Sequence, residues 1–336
     1  MSPIINKYLP AYANLLKEYI EHKNETSLYK VEQMSKSFIE NRYSPEEIIS
    51  LHGQALTSLF PQINQEQKSA MHFLLQAVTY YGVAYQEVES LRDSQDELKS
   101  EIALAVSVQQ SLLSTIIPCE HLIDIGVISV PASQMNGDYY HFFEGKDGSI
   151  GMVIADVVGK GIPAALCMSM IKYALDSFPE VMMYPEKILK NLNRVVERNV
   201  DANMFITMFC ATYQPETNIF TYASAGHEPG FYYHAETSSF TDLAAKGLVL
   251  GVLPNSTYRE NELYLQEGDM LVLLTDGVTE SRRNEQFIER DYLIEVIKKY
   301  CHLPAQQIVD KVYQHFERLQ DFKLDDDFTL LILKHV

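Results

Sequence analysis

Apolar positions along the chain change their spacing once, close to residue 118. Before that point they recur at helical intervals, as in Tyr12, Leu15, Leu16, Tyr19 and Ile20. Thr26 reads as the N-cap of a second helix running to about Arg42. Ser44-Pro45-Glu46-Glu47 is a stronger start signal: Ser44 caps, Pro45 takes the first helical position, and Glu47 completes a capping box. The helix it opens is expected to stop near Phe60, before Pro61. A fourth, from about Gln65, carries Met71, Leu74, Leu75 and Val78. Short connections between four helices predict a small bundle over residues 1–84.

Residues 85–117 are polar and charged, without Pro or Gly. Leu91, Leu98, Ala105 and Leu112 repeat every seven residues, and Ile102, Val108 and Ile116 widen the stripe. That seam predicts a linker helix able to form a coiled coil, hence a homodimer. Ser94 and Glu101 weaken the second seam position, and a long amphipathic helix lying on its own domain is the alternative. Pro118 is expected to end this helix.

From 118 onward the runs shorten and become β-rich: LIDIGVISV, SIGMVIADV, FITMFCATY, IFTYASA, FYYH, MLVLLT and FTLLIL. Helical patterns at 161–177, 185–199, 290–300 and 304–319 lie between them. Strands and helices come in pairs and do not alternate strictly, which predicts an α+β domain over 118–336 with antiparallel sheets covered by helices.

Composition narrows the class. A chain of 336 residues, 46% hydrophobic and 21% charged, can bury a large core, and its length suggests two domains. The net charge of −18 argues against nucleic acid and against an anionic membrane surface as partners. Cys119, Cys167, Cys210 and Cys301 form no CxxC and have no His or Cys at zinc-ligand spacing, as expected of reduced thiols. The N-terminus lacks the layout of a signal peptide. The apolar stretch Gly161 to Ile171 is too short to span a bilayer. A soluble cytoplasmic protein is expected.

The chemistry lies in where the aspartates fall. Asp156 closes SIGMVIAD, Asp276 closes MLVLLTD, Asp326 and Asp327 immediately precede FTLLIL, and Asp138 sits in an expected turn after Gly137. One aspartate at a strand end is ordinarily a turn or cap residue. Several brought together would repel one another and raise each other's pKa unless a cation lay among them. Hard carboxylate oxygens without His or Cys ligands suit magnesium or manganese. Two such ions about 3.5–4 Å apart activate a shared water and offset phosphoryl charge, which implies phosphate-ester hydrolysis without a covalent intermediate. No Gly-x-Ser-x-Gly, phosphate-cradling Cys loop or GxxxxGK[ST] is present to support another route.

Gly137-Asp138, Asp156-Val-Val-Gly159-Lys160-Gly161, Ser224-Ala-Gly226-His227-Glu-Pro229, Thr275-Asp276-Gly277-Val278-Thr279-Glu280 and Asp326-Asp327-Phe328-Thr329, in this order, resemble the bacterial, SpoIIE-like branch of the PPM metal-dependent Ser/Thr protein phosphatases. The helical N-terminal region and the motif Ala105-x-x-Val108-Gln109-x-x-Leu112-Leu113 extend the resemblance over the chain, to the RsbU type. The resemblance implies an αββα sandwich for the C-terminal domain. It implies two Mn2+ or Mg2+ ions, with a third left open. Asp156 would bridge both ions, and Asp276 and Asp326 would be ligands of one. Asp138 would hold the shell of the other, partly through water, and the Val157 carbonyl would be a ligand. Asp327, where many relatives carry Asn, would support that shell or serve a third ion. The implied substrate is a phosphoserine STAS-domain anti-anti-sigma factor (RsbV-like). The implied activator is an RsbT-like kinase docking on the N-terminal domain.

The pattern departs from the broader family in lacking a clear phosphate-gripping arginine: Arg282, Arg283 and Lys160 read as surface charges. His227 reads as a loop-ordering residue, with proton donation as its alternative. Gly159 and Gly161 read as tight-turn positions, and Met168, Met170 and Met204 as core. Two competing functions remain, a catalytically weak interaction protein and a nucleotide or small-molecule phosphohydrolase.

Overall fold

The computed structural model describes residues 3–41, 43–62, 64–118, 121–133, 135–159, 161–177, 184–200, 204–279, 282–283, 286–287, 290–319, 324 and 326–336. Arg42, Cys119 and Lys160, which the sequence singles out, lie outside them. The chain divides into two compact units, Met1–Ser100 and Glu101–Val336.

The first unit contains α1 (Pro3–His22), α2 (Glu25–Glu40), α3 (Pro45–Leu59) and the start of α4 (Gln65–Leu113). Ile4, Ile5, Phe38 and Leu51 form its buried core, with Tyr8 edge-on to Phe38 at 5.1 Å. The capping box is present: Glu47 N–H donates to Ser44 Oγ at 3.4 Å, and Ser44 N–H to a Glu47 carboxylate oxygen at 3.1 Å. The second helix begins earlier than expected. Asn24, not Thr26, is its N-cap, because the Asn24 side-chain oxygen accepts the otherwise unpaired Ser27 N–H.

α4 is one unbroken helix, so the expected division at 84/85 falls inside it. It stops at Leu113, short of Pro118. The chain leaves the helix because Thr115 is used elsewhere: its hydroxyl oxygen accepts the Phe142 N–H at 3.0 Å, satisfying a donor on an edge strand. Among the described residues no helix is long and apolar enough to cross a membrane.

The second unit runs β1 (Ile123–Val130), β2 (Asp138–Glu144), β3 (Ile150–Val157), α5 (Ile162–Asp176), α6 (Pro185–Asn199), β4 (Ile206–Gln214), β5 (Ile219–Ala225), β6 (Gly230–His234), β7 (Ser239–Leu243), β8 (Asn261–Tyr264), β9 (Met270–Leu274), α7 (Asp276–Thr279), β10 (Arg282–Arg283), β11 (Gln286–Phe287), α8 (Arg290–Tyr300), α9 (Ala305–Leu319) and β12 (Phe328–His335). Two five-stranded antiparallel sheets result, ordered β1-β12-β9-β6-β7 and β2-β3-β4-β5-β8. β2, β7, β8 and the two-residue β10 and β11 were not apparent as strands in the sequence.

Three apolar layers hold the sandwich. α5 and α6 cover the outer face of the β2–β8 sheet through Met168, Ile171, Leu189 and Leu192 against Val153, Ala155, Met208 and Cys210. α8 and α9 cover the other sheet through Ile297, Ile308, Val312 and Phe316 against Val272, Leu330 and Ile332. Between the sheets lie Met152, Ile154, Phe209, Tyr213, Leu271, Leu273, Leu331 and Leu333. Each such fully buried side chain contributes about 1.5–3 kcal/mol. The expected α+β architecture, helices outside two antiparallel sheets, is the one observed.

The inter-sheet layer changes character at one end. Side chains on a strand alternate faces, so the inward positions can be followed strand by strand. β3 goes Ile150, Met152, Ile154 and then Asp156. β4 goes Tyr213, Ala211, Phe209 and then Thr207. β9 goes Leu271, Leu273 and, just past the strand, Thr275. β12 goes Leu333, Leu331 and then Thr329, and β1 goes Ile123, Val127 and then Ser129. On β2 the inward position beyond Phe142 and Tyr140 is Asp138. The dry core therefore ends in a polar cap assembled from both sheets.

Candidate active site

Asp138 opens β2 and does not lie in a turn, contrary to the sequence reading. The ladder to β3 begins at this residue, with Asp156 as its register partner. Asp138 is 4% exposed. Its Oδ2 accepts the Thr275 hydroxyl at 2.6 Å. Burial raises its pKa well above the usual carboxylate value, the Thr275 and Thr329 hydroxyls oppose that shift, and Asp156 and Asp327 add to it.

Asp156 is half-buried at the end of β3. Burial, followed by the charges of Asp276, Asp326 and Asp327, lifts its pKa from 3.8 to about 7. Asp276 starts α7, directly after Thr275. Asp326 and Asp327 lead into β12, and Asp327 N–H donates to Asp326 Oδ1 at 3.0 Å.

Two glycines bring these segments into register. A Cβ at Gly137 would stand 3.0 Å from Asp327 Oδ2 and 3.8 Å from Asp156 Oδ1. One at Gly277 would stand 1.9 Å from the Asp327 carbonyl oxygen, so only glycine allows that approach. The five expected aspartates thus come from four separate segments and gather at the polar end of the sandwich. Val157 ends β3 beside them and donates its N–H to the Gly137 carbonyl at 3.2 Å.

Asp327 is committed to the connection between β1 and β2: Oδ1 accepts Ala132 N–H at 2.7 Å and Oδ2 accepts Gly137 N–H. Among the described residues no three His, Cys, Asp or Glu side chains close on one point as a formed metal shell. The donor set nevertheless fits a hard divalent cation, because clustered carboxylates that raise one another's pKa are stabilised by positive charge.

His227 sits behind the cap, 7% exposed. Its Nε2 donates to the Leu274 carbonyl at 3.1 Å, which leaves Nδ1 to accept the Thr207 hydroxyl at 2.9 Å. Burial lowers its pKa to about 4. A neutral ring with both nitrogens engaged orders the loop. Gly159 and Gly161 have φ of +133° and +77°, which glycine adopts without strain. Met168 is core, and Met170 and Met204 pack against it. Cys167, Cys210 and Cys301 are free thiols.

Sequence reasoning missed Thr207, Thr275 and Thr329 as parts of the site. The available signal was a two-residue apolar alternation that turns polar at its last inward step.

The comparisons agree with this architecture. The model of the Stage II sporulation protein E family matches residues 146–336, and that of the N-terminal domain of the phosphoserine phosphatase RsbU matches residues 10–84. The phosphoserine phosphatase RsbU of Bacillus subtilis is 53% identical over 323 residues, covering 96% of each chain. The SiaA PP2C domain of Pseudomonas aeruginosa superposes with a TM-score of 0.62 at 17% identity, over 72% of this chain and 99% of that one. RsbX in complex with magnesium superposes at a TM-score of 0.50 and 15% identity, over 66% of this chain and 99% of that one. The two low-identity superpositions share the fold, while the relative that matches from end to end supplies the kinship: the chain belongs to the RsbU family of SpoIIE-like PPM phosphoserine phosphatases.

Proposed function

We propose that this phosphatase removes phosphate from a phosphoserine on an RsbV-like STAS-domain anti-anti-sigma factor in the cytoplasm. In this reading Asp138, Asp156, Asp276, Asp326 and the Val157 carbonyl hold two magnesium or manganese ions. Asp327 holds the Gly137 loop in place behind them. When bound, the ions supply an activated water and offset the charge of the phosphoryl group. Asp156 lies between the segments that carry the other carboxylates, and the Thr275 and Thr329 hydroxyls favour the charged form of Asp138 against the effect of its burial.

The observation that carries the reading is the gathering of five carboxylates from four segments at one end of the sandwich, with Asp138 and Asp156 as register partners and Asp276, Asp326 and Asp327 close enough to push the Asp156 pKa up. That arrangement is costly in a protein without cations and suited to one that binds them.

The activator is an RsbT-like kinase bound to the N-terminal unit, and the chain acts as a homodimer. Leu91, Leu98 and Leu112 support the dimer: with the half-buried Ala105 between the last two they keep a seven-residue seam on α4, and they are 64%, 56% and 51% exposed in a single chain.

The test is phosphate release from a phosphoserine STAS-domain protein with manganese, for the wild-type chain and Asp156→Asn, with and without the kinase. Manganese-dependent release that rises with the kinase and disappears in the variant is expected. Release indifferent to the kinase would remove the regulatory part. Efficient turnover of nucleotides in place of the phosphoprotein would favour a small-molecule phosphohydrolase. No release in any mixture would favour an interaction protein.

A further inference from the structure

Asp138 is held by a closed ring of hydrogen bonds that draws on both sheets. Its backbone N–H donates to Asn136 Oδ1 at 2.9 Å. Because an N–H can only donate, that contact fixes the Asn136 amide and turns Nδ2 towards Ser129 Oγ, 2.9 Å away. Ser129 Oγ lies 2.8 Å from Thr329 Oγ1, on its register partner across β1 and β12. Thr329 N–H donates to Thr275 Oγ1 at 3.1 Å, and Thr275 Oγ1 donates to Asp138 Oδ2. The Thr329 hydroxyl favours the charged form of Asp138, and with that proton turned to the carboxylate Ser129 is the donor in the Ser129–Thr329 pair. The donors run in one direction and end on the carboxylate.

One side chain from outside the sheets fastens this ring. Gln109, on the penultimate turn of α4, is 5% exposed, and its Nε2 donates to the Asn136 carbonyl at 3.0 Å. The same nitrogen lies 3.8 Å from Met168 Sδ on α5. A buried polar side chain that spends its amide on one backbone carbonyl is costly to place unless that carbonyl must be held.

We propose that Asn136 and Gln109 are positioning residues for Asp138: Asn136 sets the backbone and carboxylate of Asp138, and Gln109 clamps Asn136 from the end of α4. The inference rests on the reading of Asp138 as a metal-site residue. A loosened clamp lets residues 136–138 move and weakens cation binding while the fold persists. Partners that orient a ligand from behind commonly account for about 10–100-fold in metal affinity.

The experiment uses the full-length chain and Gln109→Met, which keeps the side chain's length and apolar packing but removes the amide. Two quantities are read: amide hydrogen exchange of the peptide spanning 135–140 in EDTA, and Mn2+ affinity by calorimetry. Faster exchange at 135–140 with unchanged exchange in β9 and β12, and a loss of about tenfold or more in Mn2+ affinity, are expected. Exchange and affinity both equal to wild type would overturn the proposal. Equal loosening throughout the domain would also overturn it, since Gln109 would then be a packing residue only. If Gln109→Met does not fold, Ser129→Ala takes its place, because it removes the anchor of the Asn136 amide; unchanged exchange at 135–140 there overturns the proposal. A wild-type chain that binds no Mn2+ would defeat the metal reading instead, and the exchange experiment would still decide the clamp.

Discussion

Asp138 and Asp156 face each other as register partners on neighbouring antiparallel strands, and the environment of each disfavours its charged form. Like charges directly opposite across a ladder destabilise it, so the free protein carries this pair at a cost that cations would remove. In EDTA, folded Asp156 keeps its proton to about pH 7, whereas the unfolded chain releases it near 3.8. The folded state binds more protons between these values, so wild-type stability falls as pH rises through the window. Asp156→Asn has no such loss. Its stability relative to wild type is expected to climb from near zero at pH 4 to a few kcal/mol at pH 8, at about 1.4 kcal/mol per pKa unit. Urea unfolding in EDTA measures this. Saturating Mn2+ should reverse the order, because ligand binding stabilises only the wild type. Phosphate release by the variant should fall by about 10²-fold or more.

Gly277 has no room for a side chain against the Asp327 carbonyl. Gly277→Ala should push the Asp326–Asp327 segment away from α7, at a cost of about 1–3 kcal/mol from overpacking. Thermal unfolding in EDTA reads that cost. Weaker Mn2+ binding by the folded variant would show that the displacement reaches the carboxylates.

His227 is neutral in the fold, with its pKa depressed from 6.5 to about 4. A depressed histidine contributes stability that is complete above pH 6.5 and is lost as pH falls towards 4, because the unfolded chain takes up the proton first. His227→Ala should lack this slope. It should also lose about 1–3 kcal/mol at pH 7.5 by leaving the Leu274 carbonyl unpaired. Its pH profile of kcat should keep the wild-type shape; loss of one limb would restore His227 as a proton donor.

The exposed heptad leucines of α4 give a further test. Asp at Leu91 and Leu98 together should convert a dimer to a monomer in sedimentation, with helix content by circular dichroism unchanged. A persistent dimer would place the seam elsewhere.

Local signals were legible where the physics is local. The Ser44–Glu47 capping box works within four residues, and it is formed as read. α5, α6, α8 and α9 lie within a residue or two of their apolar periods. Thr26 failed as a cap because the helix has already begun at Glu25, with the Asn24 side chain accepting the Ser27 N–H. The end of α4 was misjudged because Thr115 is drawn to β2, across 27 residues of chain. Asp138 read as a turn because the preceding Gly137 resembles one, and only pairing with β3 shows that a strand starts there.

The chain by itself determined that four acidic segments accompany buried strands, and that their hard oxygen donors suit a divalent cation, because residue type and alternation are properties of adjacent positions. Tertiary structure decided which carboxylates meet, how far each pKa moves, and that threonines, Asn136 and Gln109 stand behind them. Those outcomes depend on register between strands about 200 residues apart and on burial that no single segment possesses, as in the pairing of Ser129 with Thr329.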